Sequence, residues 1–460
     1  MNLDELCRRR VAVWGLGQEG MAMVSLLTER GAAPVLIDDN TDAADRARAV
    51  LGGAPVVMDP AAVHWSDLDV VVRAPGVSRY RPELGAARAS GVTVTTAMAV
   101  WLEDFSGEQV VAITGTKGKS TTAALTASIL RHEGMEVALV GNIGVPVTDS
   151  YDRPRVDAYV VEVSSFQAAD VTVTPGVCVL TSLAPDHLDW HGGEEQYYRD
   201  KLRLIEAGPP GRLAVNAASD EAVRRTADHP DRTLFGPTGR VRADRWGAIE
   251  IDGVPVVGPG RLRIPGRHNA WNLCGAITAA MLLVGAPPSF EAVGAAVDGF
   301  GGLPSRCRTI GRREGLTFVD DALASNPFAT VASVDAFPGR DLTVIVGGAD
   351  RGVDVGPLAE ALARRRPIPT VVVLPPDGAR LIAALTRLPG GGRSDVPLRP
   401  VADLGEAVAV ARESTPPGGV VLFSPAAPTP EGEGGFATRS RQFIEASGVE
   451  EEADAGGGVD

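Results

Sequence analysis

Cysteine is scarce in this chain of 460 residues. The four that occur, Cys7, Cys178, Cys274 and Cys307, lie far apart and form no C-x-x-C pair. That spacing argues against a disulfide framework and against a structural zinc site. Cations are short as well: 44 Lys and Arg stand against 58 Asp and Glu, a formal charge of −14. So acidic a chain is a poor non-specific binder of nucleic acid, which depends on cations at phosphates. An anionic small substrate stays open, because a helix N-terminus and a few local cations suffice to hold it. No apolar run reaches the roughly 18 residues of a membrane span. The amino-terminal MNLDELCRRR has no apolar segment of the secretory kind. No membrane insertion is expected, and a cytoplasmic location is the default. Aromatics are only 5% of residues; with Ala, Gly, Val and Arg abundant, this reads as coding bias and carries no functional weight.

The length exceeds what one core accommodates and predicts about three domains. Apolar content of 44% and charged content of 22% are ordinary for a globular protein. RVAVWGLGQEGMAMVSLLTERG reads strand, glycine turn, amphipathic helix, and APVLIDD, DLDVVVRAPGV and VTVTT follow as strands. This alternation predicts a parallel α/β sheet over residues 1–103. A second α/β block, 104–302, carries the apolar β-branched runs EQVVAITG, MEVALVGN, VDAYVVEVSS and GVCVLTSLAPDH. Such runs are typical of buried parallel strands. Residues near 230–263 are polar, Gly-rich and alternating, and predict a small antiparallel appendage. HNAWNLCGAITAAMLLVGA predicts a long helix. The Gly-Pro-rich DGFGGLPSRC marks a boundary. A third α/β block, 303–446, is read from LTFVDD, DLTVIVGGAD, PTVVVLPP and GGVVLFSPAA. The acidic, Gly-rich tail, 447–460, is expected to be disordered.

The chemistry begins at VAITGTKGKSTTAALTAS, again strand, glycine turn and helix. It carries Gly118-Lys119-Ser120, yet only Thr116 and Lys117 separate Gly115 from Gly118. The usual phosphate loop has four residues there. Backbone N–H groups and the helix dipole favour an anion at such a helix start. Lys119 reaches phosphates, and Ser120 or Thr121 can ligate magnesium. The bland alternative is a Gly-rich connection with an incidental Lys.

Glu162 ends a hydrophobic strand in YVVEVSSFQ, where a lone carboxylate suits magnesium in a phosphoryl-transfer site; an edge Glu near solvent is the alternative. LAPDHLDWH carries Asp186, His187, Asp189 and His191. His187 and His191 at i, i+4 could be a zinc pair, but no third ligand follows at the usual spacing. One His serving a harder ion beside carboxylates fits better. GLGQEG fits the dinucleotide fingerprint Gly15-x-Gly17-x-x-Gly20, with Asp38 and Asp39 about twenty residues on. Alone, that would argue weakly for NAD.

GTKGKST, EVSSFQ, APDHLDWH, YYRDKLRL, PGRHNAWNLCGA and GLPSRC occur in this order. Together they resemble the ATP-dependent muramyl ligases of peptidoglycan synthesis, which share their architecture with folylpolyglutamate synthetase. The resemblance runs to about residue 446. SSFQ and GLGQEG point within it to the glutamate-adding members, which extend UDP-N-acetylmuramoyl-L-alanine. It implies an N-terminal Rossmann-like domain for the UDP-sugar, a central P-loop ATP-binding fold and a C-terminal Rossmann-like domain for the amino acid. Gly115, Thr116, Lys117, Gly118, Lys119, Ser120 and Thr121 would then hold ATP, with further nucleotide contacts from Asn272, Arg306 and Asp321. Two magnesium ions are implied, with Ser120, Glu162, His187 and Lys201 as metal-site residues. Lys201 matches a position carried as a carbamate; its bland reading is a surface helix Lys. Lys119, Glu162, His187 and Lys201 are the implied catalytic set. Gly17, Gln18, Glu19, Gly20 and Asp38, with Gly76, Asn142, Ser164 and Gln167, would face the UDP-sugar. The glycine fingerprint then serves a different pyrophosphate by the same physics. The implied mechanism passes through an acyl phosphate. A monomer is expected.

The third block departs from the family pattern. Where D-glutamate ligases read Asp-Ser-Lys-Ala-Thr-Asn, this chain reads DALASN, with Ala322 and Leu323 in place of Ser and Lys. A second family Lys appears as Arg351. Thr429 and Phe436 remain comparable, while Glu431 and Glu433 add negative charge. Losing a cation there would weaken a bound dianion by a few kcal/mol, and an Arg fork is not equivalent to Lys. The ATP and UDP motifs look intact, so a pocket rebuilt for L-glutamate is the expectation. A subgroup of the family adds L-glutamate, with a separate epimerase inverting the residue later, and it resembles this chain in these stretches. D-glutamate, another amino acid or a folate-type substrate stay open, as does a nucleotide switch without ligation. The switch would leave DHLDWH and Lys201 without a use, and it needs a guanine-reading Asn-Lys-x-Asp that we do not find.

Overall fold

In a computed structural model the described residues are 1–349, 352–376, 378–387, 394–430 and 432–449. They form three α/β sheets. The strands VAVW (Val11–Trp14), VVAIT (Val110–Thr114), AYVVE (Ala158–Glu162) and VCVL (Val177–Leu180) are buried along their whole length. A strand covered on both faces has no polar side to alternate with, which is why these runs are continuously apolar.

The first sheet has five parallel strands, in the spatial order Val56–Val57, Val35–Ile37, Val11–Trp14, Val70–Arg73, Thr93–Thr95. The order reverses between Val11–Trp14 and Val70–Arg73, and open α/β sheets hold ligands at such a reversal. The second sheet has nine strands. Its centre places Val110–Thr114 between Ala158–Glu162 and Val177–Leu180, all parallel, with Ile113 beside Glu162. The segment expected as an antiparallel appendage is part of this sheet. Arg232–Gly236 pairs parallel with Arg212–Asn216 and with Val241–Ala243, and the antiparallel pairings are those of Ile249–Ile251 with Val241–Ala243 and with Val254–Val257. The tight return at Gly239 makes this possible: a Cβ there would sit 2.0 Å from the Leu234 carbonyl oxygen.

The scarce aromatics concentrate where the first two sheets meet. Trp101, on the helix Ala97–Asp104, stacks on Phe105 at 4.4 Å and meets Tyr159 edge-on at 5.5 Å. All three are essentially fully buried, and each such side chain contributes about 1.5–3 kcal/mol of burial.

By compactness the chain divides into two units. One comprises residues 1–244, 248–257 and 271–296 and carries the first two sheets. The other comprises 245–247, 258–270 and 297 onward. The latter holds a six-stranded sheet in the order Arg308–Arg313, Leu316–Asp320, Val420–Phe423, Leu342–Val346, Thr370–Val373, Leu398–Pro400. Arg308–Arg313 is its one antiparallel strand and was not expected from the sequence. No helix among the described residues is long and apolar enough to cross a membrane.

Candidate active site

The reversal in the first sheet opens a cavity of about 640 Å³. Its walls include Gly17, Gln18, Glu19, Asp38, Gly76 and Asn142, so most of the residues expected to face a sugar nucleotide converge there. Gly20 lies behind the wall, where a Cβ would meet the Gly15 carbonyl oxygen at 1.8 Å. The third glycine of the fingerprint therefore serves close helix–strand packing. Asp38 accepts from the Leu16 amide at 2.6 Å and the Asn40 amide at 2.8 Å, which fixes the glycine turn. Gln18 Nε2 donates to the Gly144 carbonyl at 2.8 Å, and Gln167 Nε2 donates to Glu19 at 2.6 Å. Those two bonds tie the first sheet's helix to a loop and a short helix of the second. Burial pushes the Glu19 carboxyl up to about 7, against the bond from Gln167 and the Arg73 guanidinium. Ser164 caps the short helix Ser165–Ala168 and is bonded reciprocally to Gln167.

The phosphate loop follows the strand Val110–Thr114 and opens the helix Lys119–His132. Gly118 has φ +90°, and a Cβ on it would sit 2.4 Å from Asn272 Oδ1. Both facts demand glycine. Gly115 is equally closed, with Thr181 Oγ1 2.1 Å from where a Cβ would stand. Thr116 is buried and bonds the Ala184 carbonyl at 2.9 Å and the Tyr197 hydroxyl at 2.6 Å. Thr121 is half-buried in the first helical turn. Lys119 Nζ donates to the Gly115 and Thr116 carbonyls at 3.0 and 3.2 Å, folded back over the loop it would share with a phosphate.

Polar side chains from several elements converge beside it. Ser120 Oγ donates to Glu162 Oε2 at 2.6 Å, and Asn142 Nδ2 donates to Glu162 Oε1 at 2.8 Å. Asn142 thereby joins the cavity to the loop. Lys201, from the helix Glu194–Glu206, is fully enclosed and donates to the Gly115 carbonyl at 3.0 Å. It is not a surface lysine. Burial holds its ammonium form well below the ordinary lysine value; Lys119 pushes the same way, and Asp186 opposes. His187 has φ +51° and stands 4.8 Å from the Phe166 ring. Burial lowers its ionisation, and Lys117, Lys119 and Lys201 add to that against Asp186. Asp186 pairs with Lys117 at 3.2 Å. Burial works to raise its carboxyl, but Lys117, His187 and Lys119 outweigh it and bring it below the ordinary value.

His191 does not join His187. It is buried between Asp200, 2.6 Å from Nδ1, and Ser165 Oγ, 3.0 Å from Nε2. Asp200 also accepts from the Tyr80 hydroxyl at 2.7 Å and from Gln196 at 3.0 Å. An ionised Asp200 can only accept, so Nδ1 donates to it. This chain of bonds fixes the loop that presents His187. The sequence gives one hint of it, an Asp immediately before Lys201.

The site lies within a full-length similarity. Residues 9–96 match the Mur ligase MurD-like N-terminal domain, 113–280 the Mur ligase middle domain, and 305–427 the Mur ligase glutamate ligase domain. The chain belongs to the Mur ligase family. It is 42% identical over 97% of its length, and 98% of the other chain, to a Micromonospora protein named UDP-N-acetylmuramoyl-L-alanine--L-glutamate ligase. A protein of the same name from Xanthomonas axonopodis pv. citri is 35% identical, over 98% of this chain and 97% of that one. Among solved structures, the UDP-N-acetylmuramate-alanine ligase MurC of Thermotoga maritima superposes with a TM-score of 0.60 at 21% identity, covering 95% of this chain and 98% of that one. The MurF ligase of the same organism, solved with ADP, gives 0.58 at 17%, covering 96% and 98%. These likenesses establish the three-sheet Mur ligase fold. As a Mur ligase the chain is an ATP-dependent ligase of peptidoglycan precursor synthesis.

In this Mur ligase the remaining expected residues lie in the second unit or beside the loop. Asn272 stands against Gly118. Arg306 is half-buried between Ser305 and Cys307, which have φ +58° and +49°. Asp321 is buried and accepts from the Cys307 amide at 3.0 Å, Ser333 Oγ at 2.6 Å and Ser424 Oγ at 2.7 Å. Burial pushes its carboxyl up to about 7 against those bonds. Ala322 is buried and Leu323 half-buried. Thr429 is half-buried in a loop, and Phe436, 45% exposed, starts the helix Phe436–Ser447. Arg351, Glu431 and residues 450–460 of the tail lie outside the described residues.

Proposed function

We propose that this Mur ligase joins L-glutamate to UDP-N-acetylmuramoyl-L-alanine, with ATP converted to ADP and phosphate. One observation carries the reading: near-full-length identity of 42% to a protein named for that activity. The stretch Asp321–Asn326, without the lysine of the D-glutamate pattern, supports the L enantiomer.

On this reading the sugar nucleotide occupies the cavity at Gly17, Gln18, Gly76 and Asn142, with its diphosphate at the start of the helix Gln18–Glu29. ATP lies on the loop Gly115–Thr121. Lys119 turns from its loop carbonyls to the phosphates. The donor set fits magnesium: Ser120 Oγ and Glu162 are hard oxygen ligands 2.6 Å apart. Magnesium takes one or two protein oxygens and completes its shell with phosphates and water. Among the described residues no three His, Cys, Asp or Glu gather into a metal cage. When bound, magnesium screens the charge that gathers where a carboxylate meets a triphosphate.

Burial favours the neutral amine of Lys201, and a neutral amine adds to carbon dioxide with loss of a proton, giving a carbamate anion. That conversion turns a repelled ammonium into a second anionic partner beside Glu162, with His187 as the ligand of a further ion. The alanyl carboxylate takes the terminal phosphoryl group, and the amine of the amino acid attacks the resulting acyl phosphate. A tetrahedral intermediate then expels phosphate to leave the amide. The product carries an L-residue, so a separate epimerase must follow if a D-residue is needed downstream. We place the enzyme in the cytoplasm, acting as a monomer. The test is incubation with UDP-N-acetylmuramoyl-L-alanine, ATP and each glutamate enantiomer separately, with the products weighed. D-glutamate as the sole acceptor would establish the D-specific member instead.

A further inference from the structure

The incoming amino acid poses a charge problem. Glutamate brings two carboxylates, yet Leu323 stands where a lysine is expected. A buried cation is nonetheless present in the same unit. Arg439 lies one helical turn after Phe436 on the helix Phe436–Ser447 and is 4% exposed. Its Nη2 donates to the Gly347 carbonyl at 2.8 Å, and its guanidinium stands 5.2 Å from the Phe423 ring centre. Its Nη1 is buried and has no acceptor among the described residues. A buried donor left without an acceptor is unfavourable, and more so when charged. Burial works against its charge, and Glu433 works for it.

Its place in the sheet is equally telling. Gly347 follows the strand Leu342–Val346, and Phe423 ends the strand Val420–Phe423. These strands are parallel neighbours, and the order of the sheet reverses between them. Ligands of open α/β sheets sit outside the carboxyl ends of the strands at that reversal. The two loops there are joined by Gly347 N to the Pro425 carbonyl and Ala349 N to the Pro428 carbonyl, both at 2.8 Å. Thr429, expected at the amino-acid site, follows directly.

We infer that Arg439 is the specificity-determining cation of this pocket, and that its unpaired Nη1 receives the side-chain carboxylate of the incoming amino acid. The inference rests on the proposed use of glutamate. With Nη2 anchored on Gly347, the planar fork is oriented before the ligand arrives, and an N–H···O bond from Nη1 to a carboxylate gives that atom its partner.

The experiment uses the full-length enzyme and its Arg439→Gln and Arg439→Lys variants. Steady-state constants are measured for L-glutamate, for L-glutamine, for ATP and for the sugar nucleotide. Arg439→Gln raises the KM for L-glutamate at least about thirtyfold, the loss seen when one partner of a buried charge pair is truncated. It leaves the KM for ATP and the sugar nucleotide unchanged and narrows the preference for glutamate over glutamine. Arg439→Lys recovers part of that preference. Equal losses for both amino acids, or an unchanged KM for glutamate, overturn the assignment. If Arg439→Gln does not fold, a crystal structure of the wild-type enzyme with L-glutamate decides. A side-chain carboxylate oxygen within hydrogen-bonding distance of Nη1 supports the assignment, and a carboxylate seated elsewhere overturns it. Wild-type turnover of glutamate separates the two failures: no turnover rejects the proposed function, whereas turnover with intact discrimination in the variant rejects Arg439 alone.

Discussion

Lys201 Nζ donates to the carbonyl oxygen of Gly115, 3.0 Å away and 86 residues earlier in the chain. A fully enclosed lysine is thus pinned to the phosphate loop by its amine. Its folded pKa lies well below the ordinary 10.5. Between the two values the unfolded chain binds one more proton, so this group makes stability rise as pH rises toward 10.5. Lys201→Met removes that dependence and stabilises the fold at neutral pH by about 1 kcal/mol or more, read as a higher melting midpoint, while abolishing turnover. Melting curves over a pH series check the first part, and a product assay the second. In the wild type, native mass spectrometry under raised bicarbonate should find a carbon dioxide adduct that maps to Lys201. A variant that melts lower, or an adduct elsewhere, contradicts this account of the residue.

Lys119 folds back over its own loop, where the proposed reading seats the phosphates of ATP. Lys119→Ala should lower kcat at least about a hundredfold, the loss seen when one preorganised electrostatic donor is removed. Calorimetric binding of the sugar nucleotide should stay as in the wild type, because its cavity is walled by other residues. Loss of both together would mean that the two nucleotide sites are not separate.

Glu162 takes hydrogen bonds from Ser120 and Asn142 through its two oxygens. Glu162→Gln keeps the shape but removes the charge. The magnesium concentration for half-maximal rate should rise about 10- to 100-fold, read from a magnesium titration at saturating ATP. An unchanged titration would remove Glu162 from the metal site.

Glu19 holds its proton up to about 7, from an ordinary 4.5. The folded state binds more protons in that window, so this contribution to stability is present below 4.5 and is lost as pH rises through 7. Glu19→Gln, neutral at every pH, should stabilise the protein above pH 7 and change little below 4.5. Melting curves at the two extremes give the answer; an equal shift at both would mean that proton binding at Glu19 is not the cause.

How much of this was legible in the sequence follows from how local each feature is. The phosphate loop, the strand that leads into it and Glu162 at the next strand's end are set by short-range patterns, and all three stand where those patterns predict. The convergence of Gly17, Gln18, Glu19 and Gly76 at one cavity follows from strand order, which βαβ alternation implies. The network through Ser165, His191, Asp200 and Tyr80 was not legible, because its members lie up to 120 residues apart and meet only through tertiary packing. From spacing alone His191 could therefore be weighed only as half of a zinc pair with His187. Arg439 was missed for the same reason: its burial depends on strands that precede it by some 90 residues. The extension of the central sheet beyond residue 230 was hidden by its polar edge strands, which alternate as an isolated hairpin would.

The central claim is tested most directly by weighing the nucleotide product formed from UDP-N-acetylmuramoyl-L-alanine, ATP and one glutamate enantiomer at a time, with ADP counted alongside. The account predicts a heavier sugar nucleotide with L-glutamate and one ADP per amide formed. Product with D-glutamate alone, or ADP release that ignores both the sugar nucleotide and the amino acid, would contradict it.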